Sequence, residues 1–551
     1  MTERVETWSM SRVPARRRSI VLLLAAIPLA LLTAVGTLPG QDAPRTAVYL
    51  ILRGNDTIAV ERVRRSARSV SAVVAAPNQP SVELVFTLGP DHAITTTSFV
   101  LRGANATADA VPLQTGTIAI IADSAHLEMR AGGSTRSMRL ATRLGALPVS
   151  NNDFVIVEQM ARMARARGVR SLALPLFSMA GGATVDGSLE FVGADSARFR
   201  VATSVIDVAL DAAGNVTGGT IPVAGLRLVV LEGAAANAIT LGRADYAAPA
   251  GAPYTAEEVT LRTPAGHLLT GTLTRPSGVS GRVPAVVTIT GSGAQDRDEY
   301  LPFAGGVRIF RQVADTLGRR GIAVLRLDDR GVGGSGGDVN GTSADFADDI
   351  RAGIAYLRTR PEIDPDRIAL VGHSEGGVIA PMVARTDAKL AAIVLMAGPA
   401  YTGRQIIDYQ LRNLVMGDTA IRAAAKDSAA AAALTAFDST SGKAPWMKFF
   451  LTYDPIPTAR AVKQPVLILQ GATDQQVRAE EATMLERALV AGGNPQVTTR
   501  VFVDHNHLFL RDPNGFPGGY GRLTDPRVDS EVLGTLADWL ATTLRVTPTA
   551  R

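Results

Sequence analysis

The sequence predicts an α/β chain in two parts: an antiparallel β-rich first half, then a doubly wound, mostly parallel sheet carrying a helical insertion. Three observations carry this. From about residue 45 to 240, apolar segments are short, strand-like and separated by turn residues. From about 255 onward, strand-like and helix-like segments alternate, the pattern of parallel strands joined by right-handed crossovers. Between Met396 and Pro465, a stretch of about 65 residues is too long for a simple connection.

The first 40 residues read as a secretory signal, to be left out of fold reasoning. Arg4, Arg12, Arg16, Arg17 and Arg18 precede the apolar run Ile20–Leu32, and the small residues Ala34 and Gly36 follow. Arg17-Arg18 also fits a twin-arginine signal. The uncharged run from Ser19 to Gln41 is about as long as a bilayer-spanning helix. An uncleaved anchor is therefore the second reading, against which Pro28 and the weakly apolar end count. The expected location is periplasmic or extracellular, with no stable membrane span once the signal is removed.

Residues 41–245 then form the β-rich domain. Its expected strands include Thr46–Leu52, Ser81–Thr87, Gly116–Ile121 and Gly187–Val192, with turns at Gly54-Asn55 and Pro77-Asn78 and one helix over Asn152–Arg167. His92 and His126 are isolated and lack the partners a metal site demands. Nothing in this part states a function. The run Ala247–Pro253, rich in Ala, Gly and Pro, marks the boundary to a second domain over 255–545. Two strands open it, Glu258–Arg262 and Leu268–Leu273. Then come strands at Pro284–Thr290, Ile322–Leu327, Ile368–Val371, Leu390–Met396 and Pro465–Leu469, with helices at Val307–Arg319 and Ser343–Arg358 between them. The insertion, about 400–460, holds the helix former Ile421–Thr435 and the aromatics Trp446, Phe449, Phe450 and Tyr453. A helical cap over the strand ends is the natural reading, because loops there usually carry function.

Composition narrows the function classes. The 551 residues are 46% hydrophobic, ample for real cores. The formal charge of +5 is concentrated at the start: with residues 1–18 holding five arginines against two glutamates, the rest carries a net +2. No basic stripe interleaved with aromatics is present, so a nucleic-acid partner is not expected. There is no cysteine, which excludes disulfides, thiolate metal sites and a thiol nucleophile.

The chemistry concentrates around Gly372-His-Ser-Glu-Gly376. An apolar strand stops at Val371 and a helix-compatible run, Val378–Ala384, follows. Strand, Gly-x-Ser-x-Gly, helix is a nucleophile elbow, a turn sharp enough to strain the serine backbone and lift its oxygen clear of the sheet. The five letters recur at Gly333-Gly-Ser335-Gly-Gly337, which lacks both flanks and reads as a flexible loop. A serine hydroxyl needs a base, and a histidine base needs an acid to fix its tautomer. With the chain order Ser, acid, His, only His505 and His507 follow Ser374, and His507 is preferred because it lies further into the loop. Asp474, after the strand Pro465–Leu469, is the preferred acid; Asp504 competes but sits beside the histidines. His373 reads as structural and His267 as solvated. Oxyanion donors are expected from the backbone N–H of Glu375 and of Ser292, with Gly293 an adjacent alternative, in the loop Thr290-Gly-Ser-Gly-Ala294.

Gly291-Ser-Gly-Ala-Gln-Asp-Arg-Asp-Glu299, Gly372-His-Ser-Glu-Gly376, Tyr453-Asp-Pro-Ile-Pro457 and Asn506-His-Leu-Phe509 together resemble the serine α/β-hydrolases of the carboxylesterase and prolyl-oligopeptidase-like group, in particular exported bacterial esterases with a β-rich N-terminal domain. The resemblance covers about 255–545 and implies an α/β-hydrolase fold with a triad of Ser374, Asp474 and His507. Thr290 departs from it, since many relatives carry histidine there. The expected activity is hydrolysis of carboxylic esters through an acyl-enzyme, with no metal or organic cofactor required. Trp446 and Phe449 are expected to enclose a small or medium acyl chain. Two rivals remain: a serine peptidase acting on short peptides, with Glu375 binding a substrate amine, and a non-catalytic envelope binding protein.

Overall fold

The computed structural model describes residues 45–546, except 55, 77–79, 104–110, 132–133, 151–152, 180–181, 202–203, 223–224, 240–244, 340, 418–420 and 440–444. The signal segment, and Asn55 and Pro77-Asn78 of the expected turns, lie outside the described residues.

Fifteen strands between Arg45 and Glu232 make one sheet. It runs as two meanders joined where the first strand, Arg45–Arg53, pairs antiparallel with the last, Leu226–Glu232. Every neighbouring pair is antiparallel except Leu147–Val149 on Ser171–Ser178. The expected strands appear within this sheet, and alternation sets which face is buried: in Ser69–Ala75, every second residue is buried. The expected helix, Val155–Ala166, buries nine of its twelve residues, and a second, short helix not expected from the sequence, Gly233–Ala238, follows the last strand. Ile156, Met160 and Met163 share one core with Tyr49, Ile51, Leu84, Phe86 and Phe199 of the sheet.

The second sheet has eight strands, in the order Tyr254–Arg262, Leu268–Pro276, Ala323–Leu327, Val283–Ile289, Ile363–His373, Ala392–Met396, Val466–Gly471 and Val497–Phe502. The first two are antiparallel and the other six run parallel. Val283–Ile289, Ala323–Leu327 and Ala392–Met396 are buried throughout, as strands covered on both faces must be. One core contains Val287, Ile289 and Leu325 with Ile354, Leu357 and Ile379; the other contains Val286, Val324 and Val371 with Phe310, Leu317 and Leu536. The elbow strand is longer than the apolar run suggested, because Ile363 already pairs with Val283. The expected helix from Val307 starts at Ile309 instead, since Val307–Arg308 pairs with Tyr300–Leu301 as a small ribbon.

Because six strands are parallel, the residues following them gather on one edge: Thr290, Asp328, Ser374, Ala397, Ala472 and Val503. The insertion after Met396 supplies four helices, Gly403–Gly417, Lys426–Ser439, Pro445–Thr452 and Pro455–Ala461. The second Gly-x-Ser-x-Gly sits in a loop, but an anchored one. Ser335 Oγ donates to the Asp328 carbonyl at 2.9 Å and accepts from Thr270 N–H at 2.9 Å.

Candidate active site

The elbow follows from its steric demands. Ser374 sits at φ +53°, a left-handed conformation that non-glycine residues rarely hold. Its N–H is fixed by the Met396 carbonyl at 2.9 Å. Any Cβ at Gly376 would meet the Ile289 carbonyl oxygen at 2.1 Å, so only glycine lets the next helix, Gly376–Ala384, start that close to the neighbouring strand.

Asp474 and His507 come together from loops at the ends of two neighbouring strands. His507 Nδ1 lies 2.8 Å from Asp474 Oδ2. The aspartate side chain is fully buried. Its Oδ2 also accepts from Gln470 Nε2 at 3.0 Å, and its Oδ1 accepts the N–H groups of Gln476 and Val477 at 2.7 and 2.9 Å. Both oxygens are thus saturated with donors, an arrangement suited to a carboxylate. With Nδ1 committed to it, Nε2 of His507 remains to act on a proton. His505 goes elsewhere: its Nδ1 bonds the Val503 carbonyl at 2.6 Å and its Nε2 lies 3.3 Å from Asp529. Asp504 is exposed and contacts neither histidine ring by a hydrogen bond.

The glycine loop lies against the elbow: a Cβ on Gly291 would stand 3.3 Å from Ser374 Cβ. The Gly291 N–H is taken by Glu299 Oε1 at 3.1 Å. Neither Ser292 N–H nor Glu375 N–H has a partner among the described residues, so both remain available to an oxyanion. Thr290, where the resemblance leads one to expect histidine, donates its hydroxyl to Asp329 Oδ1 at 2.8 Å, and Asp329 Oδ2 accepts the Gln295 N–H at 3.0 Å. The threonine therefore braces the loop from below. Burial pushes the Asp329 carboxyl well above its ordinary range.

A cleft of about 220 Å³ opens beside Ser374 and His507. Cap residues Ile406, Ile407, Trp446, Met447 and Phe450 give it an apolar wall. The aromatic expectation needs one correction. Phe449 does not line the cleft; its ring stacks on Tyr453 at 5.4 Å and packs against the core. Phe450 lines it instead, stacked on Trp446 at 5.7 Å, because residues four apart share a helix face. Glu375 is also engaged: its Oε1 accepts from Trp446 Nε1 at 2.9 Å and from Ser343 Oγ at 2.5 Å. This ties the cap to the elbow. Among the described residues, no cluster of three or more His, Asp or Glu is arranged to hold a metal ion.

Three groups escaped the sequence. Asn506 is fully buried and clamps the histidine loop, its Oδ1 accepting the N–H groups of Leu508 and Leu510 at 2.9 and 3.1 Å. Its place one residue before His507, in the stretch Asn506–Phe509 that carries part of the resemblance, was the signal. Glu299 and His373 form a buried pair at 2.7 Å. His267 is half-buried, with Nε2 3.0 Å from Asp349 and Nδ1 3.0 Å from Thr263 Oγ1, which corrects its reading as solvated.

Parts of this chain are similar to known proteins. The serine aminopeptidase family, S33, matches residues 303–435. Esterase EstD of Thermotoga maritima is 28% identical over 286 residues, 49% of this chain and 65% of the relative. Dipeptidyl aminopeptidase BIII of Pseudoxanthomonas mexicana is 27% identical over 237 residues, 42% of this chain and 31% of the relative. An esterase of Pyrococcus furiosus superposes with a TM-score of 0.40 at 19% identity, covering 54% of this chain and 95% of that one. The eight-stranded sheet with its flanking helices has the α/β-hydrolase fold. The chain spans less than two thirds of the length of either sequence relative.

Proposed function

We propose that this protein is an exported serine hydrolase that cleaves carboxylic esters through an acyl-enzyme. The observation that carries the reading is the 2.8 Å contact between His507 Nδ1 and Asp474 beside a serine held at φ +53° in the same cleft. In this reading Asp474 fixes the tautomer of His507, whose Nε2 takes the Ser374 proton as the oxygen attacks the ester carbonyl. The N–H groups of Ser292 and Glu375 receive the developing oxyanion. His507 then returns the proton to the leaving alcohol, and water repeats the sequence to release the acid. The apolar cap wall suits a small or medium acyl chain. Export rests on the charged and then apolar first 40 residues.

The second reading, a peptidase on short peptides, is favoured by the match to the serine aminopeptidase family and by the likeness to dipeptidyl aminopeptidase BIII. Against it, the carboxylate suggested as an amine anchor, Glu375, is occupied by Ser343 and Trp446. Parallel turnover of p-nitrophenyl acyl esters and aminoacyl-p-nitroanilides decides between the two. The ester reading expects the esters to lead in kcat/KM by at least about 100-fold, a gap of roughly 2.7 kcal/mol. Anilides turned over equally well or better would transfer the assignment to a peptidase.

A further inference from the structure

One residue before the candidate nucleophile lies a second carboxylate–imidazole pair that the serine–histidine–aspartate reading does not use. His373 and Glu299 side chains are each only 2% exposed. His373 Nε2 lies 3.0 Å from the backbone oxygen of His507. A carbonyl oxygen can only accept, so Nε2 carries a hydrogen. His373 Nδ1 lies 2.7 Å from Glu299 Oε1, which also receives the Gly291 N–H at 3.1 Å. An oxygen that takes one N–H and faces a ring nitrogen this closely suits a carboxylate, and a carboxylate there puts a hydrogen on Nδ1 as well. Glu299 Oε2 is buried and has no hydrogen-bond partner, so the balancing charge for this carboxylate comes through Oε1, from the imidazole.

We propose that His373 is a permanently charged imidazolium held by Glu299, and that this pair is the positioning device that fixes the donor loop and the base loop about Ser374. The proposal rests on the serine-hydrolase reading for its catalytic consequence. Three segments meet in the pair. Glu299 holds Gly291, next to the proposed donor Ser292. His373 belongs to the elbow strand itself. Its Nε2–H holds the backbone of His507. Glu299 keeps φ +52°, unusual for a non-glycine residue, which is the kind of backbone compromise found where side-chain placement dominates. The pair also acts through charge. The His373 ring centroid lies 4.9 Å from that of His507. A cation there sets a positive charge beside the proposed base. The other ionisable groups around the pair are Asp474, which faces His373, and Asp329, which faces both Glu299 and Glu375. The attraction of Glu299 raises the His373 pKa against the opposing effect of burial.

The test uses the full chain labelled with ¹⁵N in its six histidines. His373 signals are assigned by their loss in His373→Gln. At pH 8 the proposal expects both His373 nitrogens in the protonated range, while His507 shows one protonated and one bare nitrogen. A His373 with one bare nitrogen at pH 8 in the wild-type protein overturns the proposal. In Glu299→Gln, the His373 spectrum should switch to the neutral form and kcat on a p-nitrophenyl ester should fall about 10- to 100-fold, with KM changed less than about threefold. Glu299→Asp should recover part of the kcat. A Glu299→Gln enzyme with wild-type kcat overturns the positioning role. The nitrogen spectra are read without turnover, so an inactive wild type would count against the hydrolase reading and leave the pair to be decided by the spectra.

Discussion

The two sheets bury carboxylates in opposite ways. In the hydrolase sheet, Asp474 is enclosed, but its two oxygens receive four donors and it abuts a histidine that opens onto a cleft. In the N-terminal sheet, Glu61 and Asp153 lie together at the start of the helix Val155–Ala166, their buried carboxyls hydrogen-bonded to each other. Glu61 accepts the Phe154 N–H at 2.8 Å and Asp153 the Val155 N–H at 3.0 Å. Burial pushes both carboxyls up, Asp153 to about 7. In the same helix, the two side-chain polar atoms of Gln159 are buried without partners among the described residues. A perturbed, buried acid is therefore no sign of catalysis by itself. What separates the two regions is an acid–histidine contact at a cleft that the histidine shares with a serine at positive φ.

That comparison can be broken first at the serine. Ser374→Ala should lower kcat on p-nitrophenyl esters by roughly 10⁴- to 10⁶-fold, with the unfolding temperature unchanged within about 2 °C; residual activity within tenfold of wild type would remove Ser374 from the chemistry. Asp474→Asn should cost about 10³- to 10⁴-fold in kcat, because the amide no longer selects the useful histidine tautomer. A loss of less than tenfold would make the aspartate a structural residue like those of the first sheet.

Smaller effects sharpen the picture. Trp446→Ala and Phe450→Ala should shift the preferred acyl chain length, changing relative kcat/KM by about 10-fold per variant. Phe449→Ala should leave that preference intact and instead lower stability by about 1–3 kcal/mol, since its ring packs against the core. An unchanged chain-length profile in all three variants would detach the cap from specificity.

The smallest effect belongs to the N-terminal pair. A carboxyl whose folded pKa is raised contributes its stability below the ordinary carboxylate range and loses it as pH climbs through the folded value, here from about 4 to about 7. Chemical denaturation should therefore show stability falling by about 1–3 kcal/mol over that window. Glu61→Gln should flatten the fall. A wild-type stability that rises over the same window would show the pair to be ionised and satisfied.

Much of the site was legible because its signals are local. The elbow needs strand and helix at its flanks, and both could be read around Ser374. Asp474 could be read because it follows an apolar strand, and His507 because chain order left only two histidines. The β-rich half and the alternating half were equally legible from period and spacing. What escaped depends on contacts distant in sequence. Glu299 meets His373 across 74 positions and His267 meets Asp349 across 82, and no periodicity announces either. Phe449 and Phe450 are neighbours in one short helix; which of them faces the cleft is a matter of helix rotation, set by packing with the core and not by composition. The joining of the first and last strands of the large sheet, Arg45–Arg53 on Leu226–Glu232, is likewise a closure that no local segment encodes.

The central claim is that Ser374, activated by His507 and Asp474, is the nucleophile. Fluorophosphonate labelling of the wild-type chain, followed by mass mapping of the adduct, tests it most directly. The account predicts one adduct, on Ser374, absent from Ser374→Ala and strongly slowed in His507→Gln. Labelling that persists in Ser374→Ala, or an adduct mapped to Ser335 or any other serine, would contradict it.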